Sequence, residues 1–384
     1  MERTQVYTLV NNATREAVGE SVILNEDLSN VVDVGDEIFN ANAVDNYVHS
    51  LLNHIGKVVF VNRAYSGSAP SVLMDGWEYG SVLEKIRTEL PEATENESWE
   101  LEAGETYNQD IFYQPTVTAK FFNKRVTFEI PMSFAEKQVK ESFSSATQLN
   151  SFVSMIYTAI DNSMTVKTDA LIMRTITNMI SETLYDAYEG SAMTGYGGPR
   201  AVNLLYLYNQ RFGTSLTAAA AITNPDFLKF AAMTMGVYVK RMAKISTIFN
   251  IGGTEKFTPA DMLHVVMLAD FKQAADVYLQ SDTFHNEMTR LPGAEEVPYW
   301  QGSGTGYVFS DITAIKVKNA SGNTVEASGI LAVMFDRDAL GVSNIDRRVT
   351  SHRNNRAEFF TNWYKFDAGY FNDTNENFVV FFVA

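Results

Sequence analysis

AEFFTNWYKFDAGYFNDTNENFVVFFVA, residues 357–384, is the stretch on which the reading of the fold turns. It is densely aromatic and falls into two apolar runs on either side of Asp373-Thr374-Asn375-Glu376-Asn377, a cluster of turn formers. The pattern predicts a β-hairpin. Its second arm, residues 378–383, is apolar without interruption, as expected of a short strand buried on both faces. An end of that kind is held inside the sheet it belongs to.

Composition limits what such a sheet can serve. A chain of 384 residues, 46% hydrophobic and 12% aromatic, is long enough for two or three sub-domains around a substantial core. The formal net charge of −16 argues against a protein whose main task is to grip phosphate backbones, because that task needs a basic surface. It favours solubility and repulsion between like copies instead. The absence of cysteine removes disulfides, thiolate metal sites and cysteine nucleophiles, and makes the cytosol the natural compartment. A polar start, Met1-Glu2-Arg3-Thr4-Gln5, with no apolar run behind it predicts neither a signal peptide nor a membrane span.

Upstream of the aromatic stretch the chain divides by pattern. Residues 1–60 mix short apolar patches with Asn, Asp and Glu, and no helix or strand period persists, so they read as an arm that packs over something else. Residues 77–86 are extended. Residues 88–110 hold eight carboxylates and no Lys or Arg, the composition of a solvated tip. Residues 116–130 alternate cleanly apart from a phase slip at Phe122-Asn123, which predicts a bulge. Two extended arms around an acidic tip make a hairpin too long for a compact domain to carry as an ordinary loop, and with too little core of its own.

Pro131 is expected to stop that strand, with Ser133 and Glu136 forming a capping box for a short helix to about Phe143. Residues 147–188 then keep three- and four-residue apolar spacing. They read as one strut of roughly 60 Å at 1.5 Å per residue, or as two core helices joined at Asp161-Asn162-Ser163. The glycines between Gly190 and Pro199 mark a boundary. Beyond it come helices over 199–212 and 225–245, a buried strand over 263–268, a helix from Asp270, a Pro- and Gly-rich loop over 285–306, and strands over 307–317 and 324–335 around the turn Ser321-Gly322-Asn323. Mixed elements of this order make an α+β region.

Catalytic signatures are missing. His49 and His54 are five residues apart and do not converge as an i, i+4 metal pair would, while His264, His285 and His352 are solitary. Gly302-Ser303-Gly304-Thr305-Gly306 lacks the Gly-Lys-Ser/Thr ending of a phosphate loop and precedes a strand. Asp33–Glu37 lacks calcium-loop spacing, no Gly-x-Ser-x-Gly elbow occurs, and Asp336-Arg337-Asp338 either holds a cation or pairs locally. Nothing supports nucleophilic, metal or hydride chemistry. No cofactor is expected.

Charge segregation is the remaining signal. Glu89, Glu92, Glu95, Glu97, Glu100 and Glu102 crowd the acidic tip, whereas Arg347, Arg348, Arg353 and Arg356 form a stretch without an acid. They are either unrelated solvated faces of one subunit or patches that meet between subunits and fix register. An exposed ion pair is worth only about 0–1 kcal/mol, so such contacts steer association while apolar burial holds it.

The order of parts resembles the major capsid protein of tailed bacteriophages, the Hong Kong 97-type fold. So does the wording of residues 77–86, 121–133 and 334–341 and of the closing stretch from Glu358. The resemblance implies an N-terminal arm (1–64), an extended β-hairpin loop (65–131), a spine helix with part of a peripheral domain (132–190), an axial domain (191–345) and terminal peripheral strands (346–384). It implies an icosahedral or prolate head shell of hexamers and pentamers, assembled in the host cytoplasm and carried in the virion. The implied partners are many copies of itself, a separate scaffolding protein, a portal protein, possible decoration proteins and non-specifically contacted double-stranded DNA, with no membrane. No crosslinking Lys and Asn pair can be matched, so covalent crosslinking is not implied. Two other readings stay open: an encapsulin-like nanocompartment shell, and a soluble α+β enzyme using Asp336, Asp338 or a histidine.

Overall fold

The computed structural model describes residues 3–19, 24–40, 43, 46–48, 50, 51, 54, 72–74, 83–88, 93, 103, 112, 114, 116–281, 291–301 and 309–384. In chain order its elements begin with α1 (Arg3–Val18), α2 (Val31–Asn40), β1 (Leu73–Met74), β2 (Leu83–Thr88), β3 (Val117–Phe122), β4 (Arg125–Ala135), α3 (Glu136–Ser142) and α4 (Ala146–Tyr188). They continue with β5 (Ala201–Asn203), α5 (Leu204–Phe212), α6 (Ala218–Ala221), α7 (Pro225–Met242), β6 (Leu263–Leu268), α8 (Ala269–Ser281) and β7 (Glu295–Val297). The last are α9 (Phe309–Ile312), β8 (Ile315–Lys318), β9 (Thr324–Ala327), β10 (Ile330–Asp336), β11 (Leu340–Asn354), β12 (Phe359–Asn372) and β13 (Phe378–Phe382). Two compact units result, one from residues 1–78, 125–175 and 342–369, the other from 79–124, 176–341 and 370–384.

The first unit is a four-stranded sheet, in the order β1-β11-β12-β4, packed on helices. Alternate residues of β12, Phe360, Tyr364 and Phe366, join Ile130 and Phe134 of β4 in one core with Leu149, Val153, Ile156, Ile160 and Met164 of α4. Val6, Leu9, Val10 and Ala13 of α1 and Val31, Val34 and Ile38 of α2 enter the same core. The expectation that no period persists over residues 1–60 is therefore corrected. In α1 the spacing 6, 9/10, 13 is helical, but the Asn, Thr and Arg residues around it dilute the signal. Pro131 does not stop β4, which continues to Ala135 with Pro131 in register with Trp363. The strand lies at the sheet edge, where a residue without an N–H is tolerated. The helix start moves accordingly. Gln138 Oε1 accepts from the Ala135 N–H at 3.1 Å, in place of the expected Ser133–Glu136 box.

α4 is a single helix of 43 residues, continuous through Asp161-Asn162-Ser163. Ile160 and Met164 on either side of that polar step are both fully buried, so the helix has an apolar seam to follow across it.

In the second unit a five-stranded sheet runs β5-β13-β10-β6-β7. β13 is an interior strand, antiparallel to β10 and parallel to β5, and all five of its residues are buried. The aromatic stretch is thus not a hairpin. Its first arm pairs with β4 in the four-stranded sheet, its second enters this one, and residues 373–377 are the crossing between sheets.

Other local expectations shift for identifiable reasons. The helix expected from Pro199 begins at Leu204, after a strand, with the Asn203 side chain accepting from the Tyr206 N–H at 3.1 Å; it ends as expected at Gly213, φ +64°. α7 begins at Pro225 under an Asn224 cap, as expected, and ends at Met242. The strand expected over 324–335 is two. β9 pairs with β8, and the chain turns at Gly329, φ +78°, before β10; a Cβ there would sit 1.9 Å from the Val383 carbonyl oxygen. Within the expected loop over 285–306, Glu295–Val297 forms β7 beside β6.

Candidate functional site

β2 and β3 pair antiparallel, Leu83 opposite Phe122, Lys85 opposite Lys120 and Arg87 opposite Thr118. The predicted bulge at Phe122-Asn123 is a strand break instead, since β3 pairs with β2 while β4 joins the other sheet. Strand alternation puts Leu83, Lys85, Arg87, Lys120 and Phe122 on one half-buried face of this ribbon. Glu84, Ile86, Thr88, Val117, Ala119 and Phe121 lie on the opposite, exposed face.

The cationic face is inward. It covers the crossing turn, where Asp373 is fully buried and Glu376 nearly so. Arg87 Nη2 donates to Asp373 Oδ2 at 2.6 Å and also to Glu376; Lys120 Nζ lies 3.0 Å from Asp373 Oδ1 and Lys85 Nζ 3.5 Å from Oδ2. Lys256 adds a fourth cation, 3.3 Å from Glu376 Oε1. Lys85 also donates to the Asp338 carbonyl and sits 4.7 Å from the centroid of the Phe371 ring, which packs on Phe122 with centroids 5.2 Å apart. Burial pushes the Asp373 carboxyl up, but Lys120, the Asn375 N–H and Lys85 outweigh it and hold the group below the usual aspartate range. For Glu376 burial wins over Lys256, Arg87 and Lys85, with Asp336 adding to it, and the carboxyl is raised.

The consequence is an inverted ribbon. Its cations are engaged beneath it, while Ile86, Phe121 and Val117 face outward beside Glu84 and Thr88, with Ile86 66%, Phe121 62% and Val117 56% exposed.

The residues singled out from sequence fare differently. Glu89, Glu92, Glu95, Glu97, Glu100 and Glu102 lie outside the described residues, as does the Arg347 side chain. Arg348 forks onto Asp367, at 3.0 and 3.4 Å, within its own sheet, and the Arg353 guanidinium lies 5.7 Å from the Phe360 ring centroid. Arg356 is exposed in the turn before β12. Asp336 is buried and accepts from Thr258 Oγ1 at 2.7 Å and from the Asp338 N–H at 2.9 Å, a structural role. His54 meets Glu16 at 3.0 Å, and His264, beside the Phe335 ring, is lowered by burial. Among the described residues no group of three or more His, Asp or Glu is placed to hold a metal ion. No described helix is long and apolar enough to cross a membrane. Sequence reasoning missed Asp373 and Glu376, which it took only as turn formers. The available signal was Lys85 and Arg87 two residues apart on a strand whose other face is Ile86.

Comparison with known proteins gives a consistent result. The family described as Phi29-like phage major capsid protein matches residues 10–382. The major capsid protein of Bacillus phage GA-1 is 23% identical over 244 residues, 63% of this chain and 45% of that one, so this chain spans under half the length of that relative. Among solved structures, a chain in the structure of head fiber and inner core protein gp22 of native bacteriophage P68 aligns over 84% of this chain and 86% of its own, at 9% identity and a TM-score of 0.50. A chain of the Staphylococcus phage Andhra capsid aligns over 84% and 85%, at 10% identity and a TM-score of 0.44.

Proposed function

We propose, from the premise that this chain belongs to the Phi29-like phage major capsid protein family and carries the Hong Kong 97-type α+β fold, that the outward face of the β2–β3 ribbon is what joins its copies into a shell. The family is one of structural shell proteins and not of enzymes, and its members assemble from many copies of themselves into the virion shell. Ile86, Phe121 and Val117 carry the reading, because apolar side chains held outward on a ribbon whose cations are already engaged gain stability by burial against a neighbour.

The chain then works as the five parts expected from its sequence, residues 1–64, 65–131, 132–190, 191–345 and 346–384. Hexamers and pentamers tile an icosahedral or prolate head of a tailed double-stranded DNA phage. The acidic tip, Glu89 to Glu102, reaches cations of a neighbouring copy, drawn from the arginine stretch Arg347, Arg348, Arg353 and Arg356, of which Arg356 is exposed. A separate scaffolding protein, a portal and decoration proteins complete assembly in the host cytoplasm, and the packaged DNA is contacted non-specifically. The net charge of −16 suits a shell that must release its genome.

Electron microscopy of the purified protein under assembling conditions tests this. Wild type is expected to form closed shells. Ile86→Asp with Phe121→Asp is expected to leave folded, unassembled subunits of unchanged circular dichroism. Shells of normal yield from that double variant would overturn the reading.

A further inference from the structure

A surface of opposite charge to this acidic chain lies on and around α5 and α7. Between Arg211 and Lys244 the sequence holds five cations, Arg211, Lys229, Lys240, Arg241 and Lys244, against one carboxylate, Asp226. Apolar side chains are exposed among them, Phe212 at 55%, Met233 at 49% and Val237 at 38%. Lys229, Met233, Val237 and Lys240 follow one another at four-, four- and three-residue spacing, which lines them along one stripe of α7. At its N-terminal end the stripe opens into a groove of about 340 Å³. Tyr208 and Phe230 floor it, with Phe212, Met233, Arg211, Lys229 and Asp226 around them, and Lys229 Nζ lies 4.0 Å from Asp226 Oδ1. The rings of Tyr208, Phe212 and Phe230 stand 4.8 to 6.1 Å apart, mostly edge to face.

We infer that this basic, aromatic groove receives the acidic segment, residues 88–110, of a second copy of the chain. The inference rests on the shell reading above and names a receiving surface for the tip beyond that arginine stretch. The two sequences match in chemistry. The segment has eight carboxylates and no cation, and its Trp99 stands between Glu97 and Glu100. An indole flanked by carboxylates fits an aromatic floor edged by Arg211 and Lys229, the arrangement in which an aromatic anchor supplies burial and the charges supply register. A phosphate backbone would use the cations but leave Phe212, Met233 and Val237 uncovered. Subunits of charge −16 repel at distance, so an acidic segment of one meeting the basic face of another gives a directional attraction against that background.

The chain has no cysteine, so introduced thiols report without background. Subunits carrying only Trp99→Cys are mixed with subunits carrying only Met233→Cys, assembled, and mildly oxidised. A disulfide-linked chain dimer is expected in shells and absent from unassembled subunits, and pairing Trp99→Cys with Val277→Cys, exposed on α8, is expected to give none. Wild-type shells without any Trp99–Met233 dimer would overturn the inference while leaving the shell reading intact; failure of wild type to assemble would overturn the shell reading itself. A crosslink confined to doubly substituted single chains would place the segment on its own subunit and also refute it. If the cysteine variants do not fold, Lys229→Glu with Lys240→Glu serves instead. Its shell yield is expected to fall at least tenfold and to recover on adding Glu97→Lys and Glu100→Lys, and no recovery, or loss of oligonucleotide binding in place of assembly, counts against the second copy as occupant.

Discussion

Replacing Asp373 with Asn tests whether the cationic face of the ribbon is what fixes it. The substitution keeps the shape of the side chain and its capacity to accept from the Asn375 N–H, while leaving Arg87, Lys120 and Lys85 with one carboxylate fewer. Asp373 is fully buried and Arg87 only 16% exposed. Removing one partner from a buried pair costs about 3–5 kcal/mol, most of it the uncompensated charge left behind. Lys120, 37% exposed, recovers water and adds little. The lower figure of about 3 kcal/mol corresponds to somewhat more than a hundredfold in an opening equilibrium. Amide hydrogen exchange of the unassembled protein reads it locally. Protection of the β2–β3 amides is expected to fall by that factor, with α1 and α4 amides near Leu149 unchanged. Arg87→Met is expected to do the same, and the double variant to be no worse than either alone, since the charge that each leaves behind is then gone. Ribbon protection within threefold of wild type in both single variants would refute the argument and leave the ion pairs as surface decoration.

The same turn should show opposed responses to pH. Asp373 holds its proton less well in the folded chain, so its contribution is full above the ordinary aspartate value near ~3.9 and is lost as pH falls through the lower folded value. Glu376 is raised, so its contribution is full below the ordinary glutamate value near ~4.3 and declines as pH rises through the folded value; Glu376→Gln should abolish that decline and keep the acid limb, which urea midpoints across pH will check. Gly329→Ala forces a methyl against the Val383 carbonyl at a positive φ and should cost about 2 kcal/mol or more, read as a lowered Tm or loss of soluble protein. Asn203→Ala removes both the cap of α5 and the bond from its Nδ2 to the Ala384 carbonyl at 3.0 Å, and should lower stability by about 1–2 kcal/mol in a urea titration.

The sequence carried the long elements and lost the junctions. α4 was legible as helix because Leu149, Val153, Ile156 and Ile160, then Leu171, Ile172 and Ile176, keep helical spacing, though the polar step between them left one helix or two open, and β13 because five apolar residues in a row admit little else. The two arms of the aromatic stretch were each read correctly as strands, but their pairing was not, because a turn such as Asp373–Asn377 looks the same whether the chain returns to its own sheet or crosses to another. Only Asp373's three cationic neighbours, distant in sequence, distinguish the cases. The break at Phe122-Asn123 has the same origin, since alternation reports a change of face without saying which partner the next strand takes. Of the candidate contact residues, Arg348 has a partner, Asp367, that sequence alone did not offer, because it lies on the neighbouring strand and not nearby in sequence.

A ribbon anchored through charge and open through its apolar face has a consequence for assembly. Association of flexible arms loses conformational entropy at every contact, about 0.5–1.5 kcal/mol for each side chain ordered. Here Lys85, Arg87 and Lys120 are already ordered on Asp373 and Glu376 before any neighbour arrives, so the strands bearing Ile86, Val117 and Phe121 are presented in register. The buried ion pairs need contribute nothing net to subunit stability to be useful in this way, since their effect is on the entropy of docking. It follows that Asp373→Asn should slow or weaken shell formation more than it destabilises the folded subunit, with Ile86→Asp costing less assembly in that background than in wild type. Light scattering during assembly measures this directly, and equal additive losses from the two changes would show that anchoring and docking are independent.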